Sequence, residues 1–168
     1  MKNEITGMRL RLIVMNFLQF AVWGAYLTSM GTYLFNIGLG AKIGLFYAMQ
    51  GIVSLFMPAI MGIIADRWVP AQKLYGFCHF MAAVFMVAAG WYGYVDGEAV
   101  NFGTLFTFYS LSVAFYMPTL ALTNSVAYTA LDKVKLDPVI AFPPIRIFGT
   151  IGFICSMLLT DILGFQNN

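Results

Sequence analysis

Charge is what this sequence has least of. Asp, Glu, Lys and Arg make up 10% of its 168 residues, where soluble domains carry about 25%. The acidic residues are Glu4, Asp66, Asp96, Glu98, Asp132, Asp137 and Asp161, and none falls in the middle of an apolar run. Cysteine is scarce too: Cys78 and Cys155 lie far apart, each inside an apolar stretch. They offer neither a disulfide framework nor metal-ligand spacing and read as buried free thiols. His79 is the only histidine, and a packed or interfacial role is its first reading, ahead of proton carriage. There is no phosphate-binding glycine loop and no set for covalent catalysis. The chain therefore does not read as an enzyme, and no cofactor and no metal are expected. A net charge of +2 gives no nucleic-acid footprint.

What the sequence has is apolar length. Hydrophobic residues make up 61% and the mean hydropathy is +0.82. Five runs approach or exceed the roughly 20 residues that cross a bilayer, at about 12–35, 43–65, 74–94, 102–128 and 144–163. The predicted fold class is all-α, a polytopic helical membrane protein. The first run is too long for the apolar core of a leader and no small-residue cleavage site follows, so no cleavable signal is expected. Pro58 and Pro118 fall inside spans and predict kinks. Trp91, Tyr92 and Tyr94 close the third span as an interfacial belt. Lys2, Arg9, Arg11, Arg67, Lys73, Lys133 and Lys135 fall on one side and only Lys42 on the other. The excess of basic residues puts that side, and the N-terminus, in the cytoplasm.

Polar residues within spans mark the candidates. Gln19, Trp23 and Tyr26 share one face of the first helix at i, i+4 and i+7, with Gly24 and Gly31 available for close helix contact. Gln19 can be a helix–helix bond or a solute contact. Tyr116, Thr119 and Thr123 share a face of the fourth helix, as do Asn124 and Tyr128. Asn124, near the inner end, can equally be a cap, an inter-helix bond or a solute contact.

The fifth span is the most informative. Pro143 and Pro144 predict a first helical turn, where their missing N–H groups cost nothing. Arg146 follows just inside the apolar run. A guanidinium at the bilayer centre costs about 2.5–3.5 kcal/mol, and less near an end. Thr150 and Phe153 lie at i+4 and i+7 from it, on the same face. Cation, hydroxyl and ring on one stripe could hold a polar, ring-containing solute. Spacing alone leaves the alternative open that Arg146 snorkels to headgroups while Phe153 packs. Five spans without an obvious internal repeat are an awkward count, and the chain stops abruptly at Gln166, Asn167 and Asn168. The expectation is an N-terminal part whose partner half is missing.

Four stretches now carry a family resemblance: FLQFAVWGAYLTSMGTYLF (17–35), FMPAIMGIIADRW (56–68), YMPTLALTNSVAY (116–128) and FPPIRIFGTIGFI (142–154). In this order they resemble the bacterial nucleoside:proton symporters of the major facilitator superfamily, over essentially the whole chain but only about five of that family's twelve helices. The resemblance implies an alternating-access transporter of the inner membrane, with nucleoside and proton as its partners, the bilayer as its solvent, and the site between two halves. It also implies that Arg146, Thr150 and Phe153 contact the nucleoside, the residues already selected by spacing; Gln19, Tyr116 and Asn124 are weaker candidates. Gly62, Asp66 and Arg67 resemble the superfamily's gating loop, in which the glycine allows close packing and the aspartate latches a closed state. The match there is partial, with Val69 and Pro70 where glycine and a basic residue are usual. A symporter needs a group that gains and loses a proton, and arginine cannot serve. With no carboxylate in mid-span, the coupling acid is expected in the missing half. The competing readings are a sugar or drug transporter of the same superfamily and a non-transporting membrane protein.

Overall fold

The structure is a computed structural model and describes residues 2–96 and 99–164. Glu98, Gly97 and the terminal Gln166, Asn167 and Asn168 lie outside the described residues. The elements are α1 (Lys2–Asn36), a 3-10 turn (Gly40–Lys42), α2 (Ile43–Arg67), α3 (Ala71–Asp96), α4 (Phe102–Lys133) and α5 (Pro138–Ile162). All five α-helices are long and apolar enough to cross a membrane. Outward side chains such as Leu55, Phe80, Val87 and Ile147 are exposed and apolar, the arrangement that lipid rather than water solvates.

Helices run past the apolar spans wherever nothing stops them. α1 starts about ten residues before the first apolar run, through Glu4, Arg9 and Arg11. α4 continues past Tyr128 to Lys133 and ends in a turn with Lys135 at φ +57°. Asn101 opens α4: its Oδ1 accepts the N–H groups of Gly103 at 2.8 Å and Thr104 at 3.3 Å. This satisfies donors that a helix start leaves unpaired.

The start of α5 differs from the sequence expectation. The helix begins at Pro138, and the Asp137 carboxylate accepts the Val139 N–H at 2.9 Å. Asp137-Pro138 is the stronger start signal because it combines a capping carboxylate with a proline whose φ is preset for the first position. Pro143 and Pro144 therefore fall inside the helix, not in its first turn. They withhold two intrahelical bonds, from the carbonyls of Val139 and Ile140, whose residues are both exposed.

The chain divides into two compact units, one of residues up to Tyr33 together with those from Thr123 onward, the other Leu34–Leu122. In the second unit, α2, α3 and the front of α4 enclose Met61, Leu74, Cys78 and Leu122. Phe46 is fully buried, its ring 5.0–6.1 Å from those of Phe102, Phe106 and Tyr109. Gln50 Nε2 donates to the Tyr109 hydroxyl at 2.7 Å, and Ser112 Oγ to the Ala82 carbonyl at 2.7 Å. His79 is a packed residue, its ring 4.3 Å from that of Tyr75 and 5.9 Å from that of Tyr116.

In the first unit, Leu12 of α1 packs with Ala127, Ala130 and Leu131 of α4 and with Ala141, Phe142 and Ile145 of α5. The two cysteines are free, but they differ: Cys78 is buried and Cys155 is exposed. The expectation that both are buried fails at Cys155 because it shares its helix face with Ile151, Leu158, Leu159 and Ile162, all exposed. An apolar run does not say which of its faces is covered.

Candidate functional site

In the first unit, α1 and α5 meet through glycine. Among amino acids only glycine lets two helix backbones approach this closely. A Cβ on Gly152 would collide with the Phe17 carbonyl of α1. One on Gly24 would lie 2.5 Å from Ser156 Oγ and 2.6 Å from the Phe153 carbonyl. The contact thus has small residues on both sides, staggered by about two turns along α1.

This contact aligns a row of side chains. The Arg146 guanidinium carbon lies 3.9 Å from the centroid of the Phe20 ring. That ring is 6.0 Å from Trp23, and Trp23 meets Phe153 edge-on at 5.8 Å and 74°. Arg146 and Phe153, two turns apart on α5, are therefore bridged by Phe20 and Trp23, one turn apart on α1. Among the described residues, Trp23 Nε1 is a buried donor with no acceptor, and so is the Oδ1 of Asn16 an acceptor with no donor.

Of the sequence candidates, the structure joins Arg146 and Phe153 through this row. Thr150 lies between them on α5 and is exposed. Arg146 and Phe153 are half-buried. Gln19 is buried on α1 and Asn124 half-buried on α4, both in this unit. Tyr116 belongs to the other unit, buried against His79. The Gly62-x-x-x-Asp66-Arg67 stretch also belongs there and ends α2, with Asp66 and Arg67 exposed. A Cβ at Gly62 would meet nothing within 4 Å, so no close helix approach is made at that glycine among the described residues. Val69, which takes the place of a usual glycine, packs onto the Met61–Leu74 cluster.

Spacing missed Phe20, Gly149 and Gly152. The signal was present: Gly149 and Gly152 follow Arg146 at i+3 and i+6, a small-residue edge beside a charge. What spacing within one helix cannot give is the register of the facing helix, and with it the ring on which the cation rests. Chemically, the row offers in-plane guanidinium donors, an indole donor and aromatic surface. Those groups suit a flat solute that has both hydrogen-bond acceptors and a π face.

The chain is similar to known proteins over nearly its whole length. A family model described as "Nucleoside H+ symporter" matches residues 6–167. The xanthosine permease of Escherichia coli (strain K12) is 42% identical over 156 residues, covering 92% of this chain and 36% of that protein. The nucleoside permease NupG of the same organism is 39% identical over 163 residues, 95% of this chain and 37% of that protein. A crystal structure of nucleoside transporter NupG superposes with a TM-score of 0.83 at 38% identity, over 95% of this chain and 38% of that one. The chain thus spans little more than a third of the length of the relatives it matches.

Proposed function

We propose, from a chain that belongs to the nucleoside H+ symporter family, that it forms the N-terminal part of a transporter. That transporter takes up nucleosides with protons across the bacterial inner membrane by alternating access. Arg146, Thr150 and Phe153 contact the nucleoside: the guanidinium and hydroxyl bond ribose hydroxyls or base carbonyls, and the ring stacks on the base. Gln19, Tyr116 and Asn124 are secondary contacts, and Gly62, Asp66 and Arg67 belong to the gate. The observation that carries this reading is the half-buried Arg146 guanidinium lying on an aromatic row, inside the segment that matches the family. A charge that only snorkels would reach headgroups instead of resting on a ring of the neighbouring helix.

The test is uptake by the full-length protein in proteoliposomes. An imposed inward proton gradient should drive accumulation of labelled uridine, adenosine or xanthosine, and a protonophore should stop it. Transport of a sugar in preference to all three nucleosides would sink the reading.

The N-terminus is cytoplasmic in this proposal. Five spans then leave residue 99 outside and residue 135 inside. In a full-length background with Cys78 and Cys155 replaced by alanine, an impermeant thiol reagent added to intact cells should label Ala99→Cys. It should label Lys135→Cys only after the membrane is opened. The opposite pattern would reverse the topology.

A further inference from the structure

The substrate reading accounts for Arg146 but not for what aims it. A guanidinium on a long, flexible stem gives directional bonds only when its plane is fixed. Here the fixing element is on the other helix. Phe20 is 7% exposed, and the guanidinium lies 3.9 Å from its ring centroid. A cation over the ring face is held by the ring quadrupole, while the donors of the guanidinium point outward from its edge and stay available to a ligand. Among the described residues the guanidinium makes no ion pair, so none of their carboxylates competes with the ring for it.

Gly149 supplies the space. A Cβ there would lie 2.7 Å from Phe20 Cδ2 and 2.8 Å from Arg146 Nη1. Both groups occupy the room that a side chain at 149 would take. Gly152, one turn on, presses α5 onto the Phe17 carbonyl and so fixes the height of the ring. Trp23 packs beside the ring, its centroid 6.0 Å away and tilted by 54°.

We propose that Phe20, seated over Gly149, is a positioning residue that orients the Arg146 guanidinium for the nucleoside. The proposal rests on Arg146 being a substrate contact. It assigns Phe20 no contact with the substrate: its effect passes through the cation.

The experiment replaces Phe20 in the full-length protein by phenylalanines carrying one, two and three ring fluorines. These keep the ring and its packing while weakening the quadrupole. Nucleoside affinity is read by calorimetry with uridine, adenosine and xanthosine as probes. The dissociation constant should rise stepwise along the series, reaching about fivefold, with unchanged thermal stability. Gly149→Ala should weaken binding because its methyl displaces the ring and the cation. An affinity that is flat across the fluorine series, while Arg146→Lys still loses binding, would overturn the role of Phe20 and leave the site reading intact. Failure of the wild-type protein to bind all three probes would overturn both. The fluorinated series truncates no side chain, so it stands even if Gly149→Ala fails to fold.

Discussion

Arg146→Ala is expected to abolish measurable nucleoside binding by the full-length protein, ahead of Phe153→Ala and well ahead of Thr150→Ala. A hydrogen bond to a charged donor in a low-dielectric cavity is worth roughly 1.5–3 kcal/mol and a neutral one about 0.5–1.5. Base stacking on an aromatic ring is worth about 1–3 kcal/mol in single-strand nucleic-acid binders. A guanidinium can make more than one such bond, which puts it first. Phe153 has a second task, because the edge contact with Trp23 at 5.8 Å is lost with its ring. Thr150 is exposed on its helix and offers one neutral hydroxyl. Arg146→Lys should fail substantially as well, since an ammonium cannot reproduce the planar fork that lies on Phe20. Calorimetric titration with uridine, adenosine and xanthosine decides the order. Near-normal affinity in Arg146→Lys would remove Arg146 from the site and return it to the snorkelling role.

The five helices were legible because their signal is composition over long windows, and a bilayer demands that composition of any helix that spans it. Their ends were less legible. α5 begins at Pro138, six residues before the apolar window used for it, because a cap is a two-residue event and the capping pair Asp137-Pro138 lies among charged residues. The stripe of Arg146, Thr150 and Phe153 was legible because helical periodicity is a local property of one segment. Phe20 was not, because nothing in α1 alone singles out one phenylalanine among Phe17, Phe20 and Phe35. What distinguishes it is the register set by glycines 24, 149 and 152, and register is a tertiary fact. Burial at Cys155 was misread for the same reason: in a membrane helix both the covered and the lipid-facing sides are apolar, so hydropathy carries little information about direction.

That register yields the second large effect. Gly152→Leu should leave little folded protein, and Gly152→Ala should already melt well below wild type. The added Cβ would meet the carbonyl oxygen of Phe17, with the carbonyl carbon at 2.9 Å and Cα at 3.1 Å. All three are backbone atoms, so no rotamer change relieves the clash and α1 itself must move. Overpacking of a tight interior costs about 1–3 kcal/mol even where side chains can adjust. Gly90 of α3 is the control. A Cβ there would meet nothing within 4 Å, and alanine in a helix interior is favoured over glycine by roughly 0.5–1 kcal/mol. Gly90→Ala should therefore melt at or above the wild-type temperature when both variants are followed by thermal unfolding in the same detergent. The two glycines both lie inside long helices and differ in what a Cβ would meet, so the comparison separates helix propensity from helix contact. If Gly152→Ala proves as stable as Gly90→Ala, α1 and α5 do not meet backbone to backbone. The ring of Phe20 would then have no fixed height against Arg146.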